Sequence, residues 1–414
     1  MASIAKPGTT NTQSVAMINY VDRNTLVWWG LMLMSVLITV FFTSWGCLFW
    51  LLALALDDVL LYGFGKSILF DSQLRMRRNY QWMHNMYDNT TGSGRDLGFN
   101  LVLDGELSQR AKYEHMVQEL GLEQGMVICD VGCGYGDWLK YCRDEIGCEA
   151  VGINITPEQA IYAQHEYGLE VHVTNWKDVL TNSDLQKALY GRFDAVTFMD
   201  TVEHYVSMED RRNIEKQERI YSDMCLLAGE LINRSSESKH VFISCLHQTR
   251  RRRNWKFYFH SYFMDKFYSG HYPFVDEGPL ELCRPWFDVV NVADKTEDYR
   301  LTGVRDRKHF QAVKIKLTPK KVAYAGCLLL LDPFVIHRLL YYWQDSWMFF
   351  YGDNAYSEEY DAEYRKSVSF VLLYWITLRL KPHTPGTVKQ SDLQRAVAPR
   401  CENPRIEDCS IEAQ

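Results

Sequence analysis

Three kinds of apolar stretch divide this chain: one long run without charge, a series of short runs separated by helical periodicity, and one aromatic region broken by charges. Residues 1–25 are polar and small and read as a disordered N-terminus. From Leu26 to Leu56 no side chain is charged, and the run exceeds the roughly 20 residues that a membrane-crossing helix needs. A secretory leader does not fit, because its apolar core is about 7 to 15 residues long and is followed by a small-residue cleavage site. Ser44-Trp45-Gly46 can turn the run into a hairpin, and Asp57 and Asp58 make a second full span costly. A tilted transmembrane span and a re-entrant anchor are therefore both open for 26–56. Lys6 and Arg23 precede the run while Lys66, Arg75, Arg77 and Arg78 follow it, so the positive-inside rule places the downstream domain in the cytosol, with the endoplasmic reticulum a candidate membrane. On this reading the anchor is separable, and removal of residues 1–66 should leave a folded domain.

Residues 57–125 read as a linker and an N-terminal helical cap. From 126 the period changes. Val127–Val131, Glu149–Asn154, Glu170–Thr174, Phe193–Met199 and Val241–Leu246 are apolar runs of strand length. Between the first two lies a helix to about Ile146, and Pro157 opens another through Tyr167. Strands alternating with helices imply an α/β fold with a doubly wound, mostly parallel sheet that binds ligands at the carboxyl ends of its strands. This domain occupies 126–317, with a lid at 250–283.

The first of these strands ends in Asp130-Val131, and Gly132, Gly134 and Gly136 follow at alternate positions. That is what a strand needs in order to turn tightly into a helix beneath a ligand. The dinucleotide pattern G-x-G-x-x-G is not met, and no Gly-Lys-Ser/Thr follows as in a Walker loop. A nucleotide-like cofactor on the turn is the functional reading, and a plain strand-turn-helix is the bland one. Asp130 can fix the loop through amide contacts. Asn154 ends the second strand, where dinucleotide folds carry a ribose-binding acid.

Further on, Tyr324–Leu331 and Phe334–Phe350 are interrupted by Asp332, His337, Arg338 and Asp345 and carry Tyr341, Tyr342, Trp343 and Trp347. Residues 318–382 read as an aromatic membrane-proximal insertion followed by a C-terminal helix. An interfacial element suits the insertion better than a span, and a helical pair packed on the core is the alternative. The lysines at 314, 316, 320 and 321 favour an anionic lipid surface. Arg250-Arg251-Arg252-Arg253 could meet a lipid phosphate or could simply be a solvated loop. The aromatic run Trp255–Tyr272 is a lid over an acyl chain or a piece of core. Residues 383–414 form a polar, proline-containing tail, read as disordered. A net charge of -7 excludes a general nucleic-acid binder. Eleven scattered cysteines, an odd number, argue against a disulfide framework and for a reducing compartment. No metal-ligand spacing stands out.

The run Asp130-x-Gly132-x-Gly134-x-Gly136 resembles the first motif of class I methyltransferases that use S-adenosylmethionine. A narrower resemblance follows. Val151-Gly152-Ile153-Asn154-Ile155-Thr156-Pro157-Glu158-Gln159 resembles the V-x-G-V-T-L-S-x-E-Q run of cyclopropane-fatty-acid and mycolic acid cyclopropane synthases, and Val202-Glu203-His204-Tyr205 their F-E-H-x. Phe263-Met264-Asp265-Lys266-Phe267-Tyr268-Ser269-Gly270-His271-Tyr272-Pro273 is similar to their F-x-x-K-Y-I-F-P-G-G-x-L-P, and Asp298-Tyr299-Arg300-Leu301-Thr302 to their H-Y-A-R-T. These ordered matches cover roughly residues 80 to 315.

The resemblance implies an S-adenosylmethionine-dependent methyltransferase acting on a membrane lipid. Asp130, Gly132, Gly134, Gly136, Asn154 and Gln159 would hold the cofactor and Trp176 would cover its adenine, unless Trp176 is a core aromatic. Glu203 and His204 would be catalytic, unless they only begin a helix near solvent. In that family an alkene attacks the methyl group and a bicarbonate ion, held partly by the glutamate, takes a proton so that a ring closes. Other bicarbonate partners are altered. The family cysteine has no counterpart near Thr90-Thr91-Gly92-Ser93-Gly94, its histidine aligns with Ser244 although His247 lies three residues on, and its C-terminal tyrosine would be Tyr364 or Tyr360. Ring closure is thereby in question, and a methyl branch on an unsaturated or sphingoid lipid is the competing product. Related enzymes of the same fold methylate amines, and a non-catalytic cofactor-binding membrane scaffold is a third reading.

Overall fold

The computed structural model describes residues 23–42, 45–86, 98–103, 106–312 and 359–382, with positions 319, 322, 323 and 326. The C-terminal tail, nearly all of the N-terminal one, the Thr90–Gly94 stretch and the aromatic region 327–350 lie outside the described residues.

The charge-free run folds as α1 (Arg23–Phe42) and α2 (Trp45–Phe64), packed on each other as a helical hairpin. Among the described residues no helix is long and apolar enough to cross a membrane. The apolar part of α1 runs only from Leu26 to Phe42, and Asp57-Asp58 interrupts α2, so each falls short of the roughly 20 residues required. This corrects the expectation of a spanning segment over 26–56. Both acids point inward. Asp57 is buried and accepts hydrogen bonds from the Ser67 hydroxyl (2.6 Å) and the Ile68 amide (2.7 Å), closing the turn after α2. Asp58 accepts from the Tyr262 hydroxyl (2.6 Å) and pairs with the ammonium of Lys266. Leu61 of α2 is buried with Leu69, Phe70 and Met208. The hairpin is thus built into the body of the protein, against the idea of a separable anchor. Its outer side remains apolar, with Leu33, Leu52 and Leu56 each 60% exposed.

After α3 (Ser72–Met86), the pair β1 (Leu101–Leu103) and β2 (Glu106–Ser108) leads to α4 (Gln109–Leu120). The main sheet then begins with β3 (Val127–Val131), α5 (Asp137–Tyr141), β4 (Glu149–Asn154), α6 (Pro157–Tyr167), β5 (Glu170–Val173), α7 (Trp176–Val179), α8 (Ser183–Leu189) and β6 (Ala195–Met199). A short 3-10 turn at Val202–His204, α9 (Ile214–Leu231), β7 (His240–Gln248), α10 (Trp255–Tyr268), α11 (Pro279–Leu282), β8 (Phe287–Asp294), α12 (Thr296–Ala312), α13 (Ala362–Val368) and β9 (Val371–Leu380) complete the order.

The seven-stranded sheet runs β5-β4-β3-β6-β7-β9-β8, parallel from β5 to β7. Side chains of β3 alternate between two cores: Ile128 packs on one face with Leu139 and Phe242, Cys129 and Val131 on the other with Phe198 and Tyr221. Burial on both faces explains why the strands read as continuous apolar runs. Chain order reverses between β3 and β6, which opens a crevice at their carboxyl ends.

β9 corrects the expected C-terminal helix. Its apolar run suits a buried strand or a buried helix equally, and the gap between β7 and β8 settles the matter. β9 fills it antiparallel to both, paired from His240↔Arg379 to Gln248↔Val371 on one side, with Leu373 and Trp375 in one core and Ile376 and Leu378 in the other. The cysteine expectation is also amended. Cys225 of α9 and Cys283, just after α11, form a disulfide with Cα atoms 5.4 Å apart, while Cys129, Cys133, Cys142, Cys148 and Cys245 are buried free thiols.

Candidate active site

The glycine turn after β3 divides its labour. All three glycines have positive φ: 93° at Gly132, 55° at Gly134 and 81° at Gly136. A Cβ on Gly132 would stand 2.3 Å from Thr201 Cγ2, and one on Gly136 would stand 2.7 Å from Leu169 Cδ1, so both are spent on packing. At Gly134 a Cβ would meet nothing within 4 Å. Here the backbone lies open to the crevice, as a turn that passes beneath a ligand requires.

The neighbours of the turn hold it in place. Asp130 is buried and accepts from the Thr197 hydroxyl (2.7 Å). Asn154 donates from Nδ2 to the Gly134 carbonyl (3.2 Å) and to Gln159 Oε1 (3.1 Å). With that amide committed, Asn154 Oδ1 and Gln159 Nε2 are what these residues can offer a cofactor. Trp176 is 7% exposed, tilted on Tyr205 with ring centres 4.7 Å apart, and sits in the core with Val131 and Ile153. It has the burial and the packing of a core aromatic.

Beyond β6 the chain makes a tight excursion. Asp200 adopts a left-handed backbone, φ 49°, which an aspartate tolerates. Its carboxylate accepts from the Ser244 hydroxyl, and its amide donates to the Ser244 carbonyl (3.2 Å). Glu203 is buried. Its Oε1 accepts from the Leu246 amide (2.7 Å), whereas Oε2 has no hydrogen-bond partner among the described residues. Burial first, and the Asp200 carboxylate second, push the Glu203 carboxyl up from 4.5 to about 8. His204 lies with Nδ1 3.1 Å from the Ser269 carbonyl and Nε2 3.2 Å from the Tyr80 hydroxyl. A carbonyl only accepts, so the proton sits on Nδ1 and Nε2 accepts from Tyr80. Tyr80 is held neutral by burial and then by the nearby Glu203 and Asp200 charges, which raise its pKa.

Three expectations are redirected. His247 cannot swing toward Ser244: an odd offset along β7 puts it on the opposite face. There its Nδ1 faces the Cys245 carbonyl (3.0 Å) and its ring meets Tyr374, while burial lowers its pKa to about 4. Tyr364 is 40% exposed and lies tilted on Tyr360 with ring centres 4.3 Å apart, and among the described residues neither bonds to Glu203 or His204. In the arginine run, Arg250 pairs with Asp276 and Glu277, Arg251 donates to the Ser367 carbonyl and Arg253 to Gln248. Tyr80 and Asp200 were not singled out in the sequence. Asp200 carried a signal, an acid one residue past a strand end, whereas Tyr80 on α3 carried none.

A parallel sheet reversing at β3/β6, with a glycine turn and acids at the carboxyl ends, is the class I methyltransferase architecture. The profile of the mycolic acid cyclopropane synthetase family matches residues 103–316. The chain belongs to that family. Among curated proteins it is similar to the cyclopropane-fatty-acyl-phospholipid synthase of Escherichia coli K12, 35% identical over 69 residues, which are 16% of this chain and 18% of that one. It is also similar to the methoxy mycolic acid synthase MmaA3 of Mycobacterium tuberculosis H37Ra, 37% identical over 57 residues, 14% of this chain and 20% of that one. The matches thus span about a fifth of these relatives' length. Among solved structures, mycolic acid cyclopropane synthase CmaA1 in complex with SAH and CTAB shares the fold, with a TM-score of 0.51 at 14% identity, covering 74% of this chain and 97% of that one.

Proposed function

We propose that this chain is an S-adenosylmethionine-dependent methyltransferase whose acceptor is a carbon of an unsaturated fatty-acyl or sphingoid lipid. The observation that carries the reading is the open backbone at Gly134 after β3, together with a buried carboxyl, Glu203, past the end of the neighbouring β6, one oxygen of which has no hydrogen-bond partner among the described residues. Gly134, Asn154 and Gln159 would hold the cofactor, which supplies, when bound, a methyl group on an electrophilic sulfonium. The residues round it do the rest. Burial excludes water, the Leu246 amide fixes Glu203 through Oε1 and leaves Oε2 without a hydrogen-bond partner among the described residues, and Tyr80 with Ser269 orients the His204 ring.

The apolar outer side of the hairpin, together with Trp255 at 72% and Tyr258 at 59% exposure on α10, supports seating on a bilayer, and the Lys and Arg residues that flank the hairpin would put the sheet on the cytosolic side. The hairpin would dip into one leaflet and bring the site to the acyl chains. Two neighbouring carboxyl groups, Asp200 and Glu203, favour a second reading in which the acceptor is an amine, in a lipid headgroup or a hydrophobic small molecule. The test is incubation of the membrane-reconstituted protein with methyl-labelled cofactor and a total lipid extract, followed by mass spectrometry. Label on an acyl or sphingoid chain is the expected result. Label on nitrogen would replace the acceptor, and cofactor binding without any transfer would leave a scaffold.

A further inference from the structure

The two carboxyl groups of the site are fastened to one strand. Asp200 is held by the Ser244 hydroxyl and Glu203 by the Leu246 amide. Ser244 and Leu246 are two apart on β7, on one face, about 7 Å from each other along the strand. The other titratable groups that face Glu203 come from every side: Tyr80 of α3, Tyr221 of α9, Cys245 of β7 and Tyr205 of its own turn. Burial raises the pKa of each, so all are neutral near pH 7. His271, whose amide donates to the Glu203 carbonyl, is kept neutral by burial, its pKa lowered to about 4, and His204 is held between the Ser269 carbonyl and the Tyr80 hydroxyl. No lysine or arginine among the described residues acts on Glu203 to offset an added anion, and the serine that aligns with the family histidine is bound to a second carboxylate.

We infer that the Asp200–Glu203 pair is itself the proton acceptor of the reaction, with no bicarbonate between it and the substrate, and that Glu203 Oε2 is the accepting atom. The inference rests on the lipid-carbon reading above. As the acceptor's π pair forms the new carbon–carbon bond to the methyl group, the sulfur–carbon bond breaks with its electron pair left on sulfur. The positive charge on the adjacent acceptor carbon is then discharged when a C–H proton passes to Glu203 Oε2. The C–H electron pair becomes the double bond of a methyl-branched product or the closing bond of a ring, and the proton leaves Glu203 to solvent on product release. Asp200, by its charge and its bond to Ser244, sets the basicity of that oxygen and is a positioning residue.

The experiment uses the full chain in phospholipid vesicles, with labelled methyl transfer to lipid carbon as the readout and bicarbonate as the probe. In buffer freed of carbon dioxide the rate is expected to stay within about twofold of that in added bicarbonate. It should also rise with pH as the pair ionises. Asp200→Asn keeps an oxygen for Ser244 and tolerates the left-handed backbone. It should move that rising limb to lower pH by about one unit, the scale on which a neighbouring charge acts. Glu203→Gln should lower kcat by about 100-fold or more, the usual weight of a general base, with no rescue by bicarbonate. Activity that vanishes without bicarbonate and returns with it would overturn the inference in the wild-type protein alone, while leaving the acceptor assignment intact. An unmoved limb in Asp200→Asn would remove Asp200 from the pair. No transfer to lipid carbon under any of these conditions would overturn the acceptor assignment first and the inference with it.

Discussion

Replacing Asp58 by Asn should loosen the protein at a point far from the glycine turn. The Lys266 side chain is 0% exposed and Asp58 22%. Removing one partner of a buried pair costs about 3–5 kcal/mol, because the remaining charge stays buried. Two features of the site reduce that. Asp58 reaches solvent, and the ammonium lies 5.1 to 5.2 Å from the ring centres of Tyr62, Phe70 and Tyr262, each contact worth about 0.5–1 kcal/mol. A loss of about 2–3 kcal/mol is expected, which lowers the Tm by roughly 4–12 °C for a domain of this size. The effect should reach the site. Ser269 follows α10 and accepts from His204, and the His271 amide donates to the Glu203 carbonyl (2.8 Å), so a displaced α10 moves both. Thermal unfolding of the full chain in detergent, with steady-state kinetics in vesicles, measures both effects: Tm falls and KM for the lipid rises. The double variant Asp58→Asn with Lys266→Met, which removes both members of the pair, should recover most of the Tm. A single variant that melts within about 1 °C of wild type would refute the reasoning.

Gly134→Val should abolish cofactor binding by calorimetry while leaving the melting curve within a few degrees of wild type, since nothing lies within 4 Å of the added Cβ and only the φ of 55° is strained. Glu203→Gln tests the buried carboxyl through stability. Its folded pKa lies above the ordinary 4.5, at about 8, so its contribution is fully present below the lower value and is lost as pH rises through the upper one. The Tm of the variant relative to wild type should therefore climb between about pH 5 and pH 9; a gap independent of pH would place Glu203 in water. Reducing the Cys225–Cys283 bond, which closes a loop with a sequence separation of 58, should cost about 4 kcal/mol in the chain-entropy account, read as a drop in Tm with added reductant. Deleting residues 1–66 should yield aggregated or molten protein by near-ultraviolet circular dichroism, because Lys266 would lose Asp58 and the apolar cluster round Leu69 and Phe70 would lose Leu61.

What the sequence determined by itself was whatever depends on neighbours along the chain. The apolar runs from Val127 to Leu246 became β3 to β7 with ends shifted by two residues or fewer, because strand length, β-branching and the breaks between runs are local properties. Gly132, Gly134 and Gly136 were legible as a turn for the same reason, and Glu203-His204 as the residues past a strand end. The tertiary structure decided everything that needed a distant partner. Asp57 and Asp58 were evidently too costly for lipid, but nothing local said that Lys266, 208 residues on, would take Asp58. The run Val371–Leu380 could be helix or strand until the gap between β7 and β8 was there to fill. Tyr80 met His204, and His247 turned away from Ser244, only through packing and register. A sequence states which groups cannot remain unpaired; which group answers each of them depends on the folded chain, since the cost of burial is local and the partner is not.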